Sequence, residues 1–299
     1  MSPILRPTAV VILLGLSLQG ASPAPVSRPV TRPNPARPVA ALAALETQSG
    51  GRLGVAALDT GSGRWLDYRA GERFPLCSTF KVLLAGAVLA QVDAGRETLD
   101  RTLPYGPADL LDHAPVTRAR VAEGKLTVEE FCAAAVEVSD NTAANLLLRH
   151  LGGPAALTAF MRSLGDPHTR LDRFEPALNE ARPGDPRDTT TPAAMVKDLQ
   201  ALLVGPALRP DTRQRLETWM RASTTGRNRL RTGLPAGWQA GDKSGSGARG
   251  TTNDVAILRP PGRAPILVAA YTTGSSASPQ HREATLAEVG RIVVQAFGN

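Results

Sequence analysis

Four groups of residues carry side chains that could do chemistry together. Ser78-Thr79-Phe80-Lys81 sets a hydroxyl and an amine three positions apart at the start of an apolar, helix-like stretch. Residues i and i+3 share a helix face, so the Lys81 amine is expected beside the Ser78 hydroxyl. A serine hydroxyl is a weak nucleophile until a nearby base takes its proton. Ser139-Asp140-Asn141 adds a second hydroxyl and an amide, and Lys243-Ser244-Gly245 adds a cation beside a small hydroxyl on an edge strand, which suits a carboxylate. Glu175 and Asn179 lie four apart in a proline-rich segment, where one helical turn would aim both the same way. A carboxylate and an amide so placed can hold a water and deprotonate it. Any one motif is weak, and the ordered set is specific.

Other chemistries are poorly supported. Cys77, Cys132, His113, His150, His168 and His281 are scattered without C-x-x-C or H-x-H spacing, so no metal site is expected. The formal charge is +7, yet Arg6, Arg28, Arg32 and Arg37 stand in the first 45 residues without an acid. The remainder holds 30 basic against 27 acidic side chains. With 4% aromatics and no long basic block, nucleic acid is not an expected partner.

These groups need a scaffold. Arg6 followed by the apolar run 9–18 and then small residues has the order of a secretory signal, assigned to 1–22. The run is too short for a membrane span, and none is expected in the mature protein. Six prolines between 23 and 38 read as a linker. A helix is expected over 39–49, then a hairpin of strands 53–59 and 64–68 around Gly61-Ser62-Gly63. From 78 to 220 the pattern is helical, with helices at 80–89, 128–138 and 142–151. The proline-rich stretch 166–191 interrupts it as a long loop of the kind that is usually functional. Strands return at 255–258 and 266–271, and an amphipathic helix at 282–297 closes the chain. Strands from both ends and helices from the middle predict a sheet with packed terminal helices and an all-helical insertion.

The trio Ser-x-x-Lys, Ser-Asp-Asn and Lys-Ser-Gly is the known signature of class A β-lactamases and penicillin-binding proteins. Residues 40–299 resemble the class A serine β-lactamases through Cys77 to Lys81, Ser139 to Leu146, Leu171 to Asn179, Arg187 to Thr190, Leu234 to Trp238 and Gly241 to Gly245. The resemblance implies an α/β (α+β) two-domain fold with a five-stranded antiparallel sheet flanked by helices plus an all-helical domain. The α/β domain would comprise 39–73 and 222–299. The helical domain would comprise 74–221 and include a catalytic loop at 170–188. It also implies no cofactor, a small-molecule β-lactam substrate, a monomer, and secretion or a periplasmic location.

The implied roles follow residue by residue. Ser78 attacks the lactam carbonyl, and its proton leaves through Lys81 or through Glu175. Backbone N–H groups of Ser78 and Ser246 form the oxyanion hole. Ser139 relays a proton to the departing nitrogen, and Asn141 binds the substrate's side-chain amide. Lys243, Ser244 and Gly245 meet the substrate carboxylate, and Glu175 with Asn179 activates the water that releases product. Arg173 and Asp188 close the neck of the loop as an ion pair. Many relatives carry an Arg where this chain has Thr251-Thr252-Asn253, and Arg229 resembles the substitute found in another subset. His113 falls where relatives place an aromatic at the pocket mouth, or is a plain loop histidine. The Ser246 hydroxyl suits cephalosporins. Some relatives bridge the Cys77 position to a residue that is here Gly247, and the Cys132 position to one that is here Ala85, so two free thiols are expected. A D-Ala-D-Ala peptidase would share the Ser and Lys motifs but lack Glu175 and Asn179. A β-lactam sensor would need a membrane span.

Overall fold

The computed structural model describes Pro3 and residues 36–298; the expected signal peptide and most of the linker lie outside them. Helix α1 (Ala36–Ser49) leads into strands β1 (Arg52–Asp59) and β2 (Arg64–Tyr68). The helix starts inside the stretch read as linker, because Pro38 sits in the first turn, where its missing N–H breaks no helical bond. The short strand β3 (Phe74–Pro75) and a 3-10 turn (Cys77–Thr79) precede α2 (Phe80–Asp93). Then come β4 (Thr102–Pro104), α3 (Pro115–Ala119), β5 (Lys125–Thr127), α4 (Val128–Glu137), α5 (Asn141–Leu151) and α6 (Pro154–Ser163). The long loop follows, carrying a 3-10 turn (Ala177–Asn179) and β6 (Thr189–Thr190). Helices α7 (Pro192–Leu203) and α8 (Pro210–Ala222), strands β7 (Gln239–Gly247), β8 (Thr251–Arg259) and β9 (Ile266–Thr273), and α9 (Pro279–Phe297) complete the chain.

The main sheet has the order β2-β1-β9-β8-β7, with each neighbouring pair antiparallel. Both chain ends build it, as the sequence pattern required. Its central strands are apolar on both faces because both faces are covered. Val55, Ala57, Ala256, Val268 and Ala270 join the core under α1 and α9. Ala56, Leu58, Val255, Ile257, Leu267 and Ala269 face the helical side. The period-2 alternation of a strand does this sorting. Helix α2 is buried from Phe80 through Leu89, polar Lys81 included, so it is the hub of the helical part. Two more two-stranded ladders, β3–β6 and β4–β5, brace the helical region. No described helix is long and apolar enough to cross a membrane.

Local signals explain the elements that hold the site. Asp140 caps α5, accepting from Ala143 N (2.9 Å), and the same carboxylate accepts from Val116 N (3.0 Å) and Thr117 N (2.9 Å). One side chain thus starts a helix and ties the 115–117 segment to it. Thr127 and Glu130 form a reciprocal cap on α4. The β3–β6 ladder pairs Phe74 with Thr190, which brings the end of the long loop beside the approach to Ser78.

Candidate active site

Ser78 lies on the 3-10 turn that feeds α2, between a left-handed Cys77 (φ 44°) and the helix. Ser139 is left-handed too, at φ 60°. Both conformations are unfavourable for residues with a Cβ and persist only where surrounding bonds enforce them. At Ser139 the enforcing bonds are visible. Asp140 N donates back to Ala134 O (3.0 Å), and Asn141 N donates to His113 O (2.8 Å). The turn is gripped on both sides, and the grip aims Ser139 and Asn141 at Lys81.

Lys81 is fully buried. Its Nζ donates to Asn141 Oδ1 (2.5 Å), Ser139 O (2.8 Å) and Ser139 Oγ (3.3 Å), and stands 3.2 Å from Glu175 Oε1. Burial lowers its pKa, while the Glu175 carboxylate opposes the shift. Ser78 Oγ donates to the same Glu175 oxygen at 3.3 Å. Lys81 and Ser78 are thus joined through Glu175 Oε1. The amine's donors are spent on Ser139, Asn141 and Glu175.

Glu175 is 4% exposed and held from three directions. Asn145, one turn along α5 from Asn141, accepts from Glu175 N and donates to Glu175 O, both at 2.9 Å. Asn179 Nδ2 donates to Glu175 Oε2 at 2.5 Å. Asn179 Oδ1 is buried and has no hydrogen-bond partner among the described residues, so it is an acceptor free for a small donor. The loop neck closes as expected. Arg173 Nε meets Asp188 Oδ2 at 2.6 Å, while Asp188 Oδ1 accepts from the N–H groups of Asp172 (2.8 Å) and Arg173 (2.9 Å). Leu76 N donates to Asp188 O (2.8 Å), so the neck also fixes the chain two residues before the nucleophile.

The opposite wall is edge strand β7. Lys243 is fully buried, and its Nζ donates to Ser244 O at 3.0 Å. Burial and then the positive charge of Lys81 lower its pKa to about 7. The expected cation is thus only partly charged at neutral pH in the free protein. Ser244 Oγ shares a 2.6 Å bond with Thr225 Oγ1. Arg229 is 6% exposed and reaches this strand from the turn after α8. It donates to Gly245 O (2.9 Å), Asn253 O (2.8 Å) and Ser246 Oγ (2.9 Å), and lies 3.4 Å from Glu283. His113 is exposed at the rim, with Nε2 bonded to Val138 O (3.0 Å). The site's sequence-predicted residues therefore sit on two facing walls, with Ser78 at the base.

The arrangement is one found in a known family. A family model described as the β-lactamase enzyme family matches residues 37–297. The chain belongs to this family, in its class A serine branch. β-Lactamase AST-1 of Nocardia asteroides is 53% identical over 256 residues, covering 86% of this chain and 82% of that protein. The carbapenem-hydrolyzing β-lactamase KPC of Klebsiella oxytoca is 49% identical over 257 residues, covering 86% and 87%. The solved structure of an ancestral (GNCA) class A β-lactamase aligns with a TM-score of 0.86 and 62% identity, over 87% of this chain and all of that one.

Three residues that hold site side chains in this β-lactamase were not singled out from the sequence. Asn145 repeats the polar face of Asn141 at helical spacing, a signal that was present in the sequence. Thr225 and Glu283 sit far along the chain from Ser244 and Arg229, and only the fold joins them. Cys77 and Cys132 are both buried and free, as expected. A Cβ on Gly247 would come within 2.6 Å of Cys77 Sγ, which is why this position stays small beside an unpaired thiol.

Proposed function

We propose that this β-lactamase opens the lactam amide of penicillins and cephalosporins through a covalent ester on Ser78, and that it confers resistance to these drugs. The observation that carries the reading is the position of Glu175, with one oxygen on Ser78 Oγ and Lys81 Nζ and the other on Asn179. Ser78 Oγ forms the bond to the lactam carbonyl carbon. Its proton passes first to Glu175 Oε1, the oxygen it already faces, with Lys81 on that same oxygen. N–H groups of Ser78 and Ser246 hold the developing oxyanion, where losing one donor costs about 3–4 kcal/mol. The C–N bond breaks as Ser139 Oγ gives its proton to the ring nitrogen; Lys81 Nζ reprotonates Ser139 and takes the proton held on Glu175 Oε1, which leaves Glu175 a carboxylate again. A water between Glu175 and Asn179 then gives a proton to Glu175, and its oxygen attacks the ester. Ser78 leaves and recovers its proton.

Lys243, Ser244, Gly245 and Arg229 receive the substrate carboxylate, with Ser246 beside them. Asn141 binds the side-chain amide, and His113 borders the entrance. Arg173 and Asp188 are structural. Division into an α/β part (39–73 with 222–299) and a helical part (74–221), export by the N-terminal signal, and a monomeric state belong to the same reading. The test is a steady-state panel of a chromogenic cephalosporin, a penicillin and a carbapenem, with Glu175→Ala alongside. Wild type turns over the first two, while the variant, with only Lys81 left to take the Ser78 proton, acylates more slowly and stalls with an adduct visible by mass spectrometry. Permanent labelling of wild type by benzylpenicillin would indicate a peptidase, and no labelling would remove Ser78 as nucleophile.

A further inference from the structure

A second cleft lies behind the catalytic loop, between its 181–186 tip, the start of β1, the turn before β3 and the β7–β8 hairpin. Its volume is about 520 Å³, within the range of small-molecule sites. None of the residues assigned to β-lactam chemistry lines it. Pro75, Ala181, Pro183 and Pro186 give it an apolar wall. Six charged side chains also face it. Glu72 is bonded to Arg52 (2.7 Å), Asp185 to Arg187 (2.7 Å), and Arg182 to Glu180 (2.7 Å). Two guanidiniums are left without a carboxylate among the described residues. Arg73 is held in place by donating to His168 O (2.8 Å) and Thr189 Oγ1 (3.0 Å), both uncharged acceptors. The Arg249 side chain has no hydrogen bond or ion pair among the described residues. Its backbone is fixed at φ 56° with its carbonyl accepting from Gly274 N (2.8 Å). The cleft therefore combines an apolar wall with two uncompensated cations, whereas its carboxylates are already neutralised.

We propose that this cleft binds a small organic anion with an apolar ring body, its charge meeting Arg249 and Arg73 and its ring lying on the prolines. Charge complementarity argues for an anion, because a cation would face both guanidiniums. The proline wall argues for a ring rather than a bare inorganic ion. Near the cleft, Ala248 N donates to Asn179 O (2.9 Å) and Asn253 Nδ2 to Pro75 O (2.8 Å), which tie its walls to the active site.

The test uses 15N-labelled full chain, with Ser78 saturated by a phenylboronic acid, titrated with naphthalene-2-sulfonate. The amides of Gly184, Arg249 and Gly274 should shift together along one saturating curve. Arg249→Gln should weaken binding about fivefold, the upper end for one exposed charge pair, and Arg249→Glu should abolish it. Both variants should keep the wild-type Tm and the wild-type KM for a chromogenic cephalosporin. Shifts confined to Ser139 and Ser246, or unchanged affinity in Arg249→Glu, would overturn the proposal.

Discussion

Replacing Asn145 by Ala tests whether the catalytic carboxylate is placed by its backbone. Asn145 is 4% exposed and makes two bonds to Glu175, at 2.9 Å each, one to N and one to O. Truncation leaves both backbone groups buried without partners. Each such loss costs about 1–3 kcal/mol, so the pair costs about 2–6. Partial relaxation of the loop favours the lower half, about 3 kcal/mol, a large share of a total stability of about 5–15. For a folded region of about 260 residues that is a Tm drop of about 5–6 °C. Activity should fall for a separate reason. A carboxylate displaced by about 1 Å costs on the order of 100-fold in rate. Deacylation depends on Glu175 alone, while acylation keeps Lys81 beside it, so acyl-enzyme should accumulate. Thermal melts, stopped-flow bursts with a chromogenic cephalosporin and intact mass at steady state read all three effects. Asn179→Ala is the control: it loses only the 2.5 Å side-chain bond, and should slow deacylation with little change in Tm. If Asn145→Ala kept both wild-type kcat and wild-type Tm, the claim that this amide holds Glu175 would be wrong.

Three further outcomes are expected. With Lys243 lowered to about 7, its charge is present below that pH and lost above it. The kcat/KM for a penicillin should therefore fall as pH rises through about 7, whereas kcat should not, since the bound carboxylate keeps the amine charged; a flat kcat/KM from pH 6 to 9 would refute this. Arg229→Ala removes a buried guanidinium bonded to Gly245 O, Asn253 O and Ser246 Oγ, and should lower kcat/KM about 10- to 100-fold, mainly through KM. Cys77 and Cys132 are buried and free, and burial pushes both thiols up. Native protein should resist iodoacetamide, and unfolding without reductant should add two alkyl groups by mass.

What the sequence made legible follows the range of each signal. The hairpin 52–68 is encoded by two short strand-like runs around a glycine turn, and α5 by Asp140 at its cap, so both were readable locally. Strands of two or three residues, β3 to β6, carry too short a pattern to read, although β3–β6 joins the catalytic loop to the nucleophile turn. Motif order singled out Ser78, Lys81, Glu175 and Lys243 and left the Ser78 proton to Lys81 or Glu175; in the structure the hydroxyl is bonded to Glu175. Helical spacing puts Lys81 on the correct face; it does not reveal that Ser139 and Asn141 will claim its donors. Thr225 and Glu283 were invisible for the same reason, since their partners are set by how α8 and α9 cross β7 and β8.

The site's electrostatics explain why one carboxylate must serve so many groups. Lys81 and Lys243 are both fully buried, and the first depresses the pKa of the second. Arg229 adds a third cation at 6% exposure, partly offset by Glu283 at 3.4 Å. Among the described residues Glu175 is the only anion in direct contact with Lys81, so it holds that amine in place while accepting a hydrogen bond from Ser78 Oγ. A protonated Glu175 would release Lys81, and an unprotonated one draws the Ser78 hydroxyl toward it. On the proposed reading, a substrate carboxylate received by Lys243 and Arg229 relieves the positive charge at the far wall. The same reading couples substrate binding to proton transfer through charge, because Lys81 and Lys243 act on each other across the two walls.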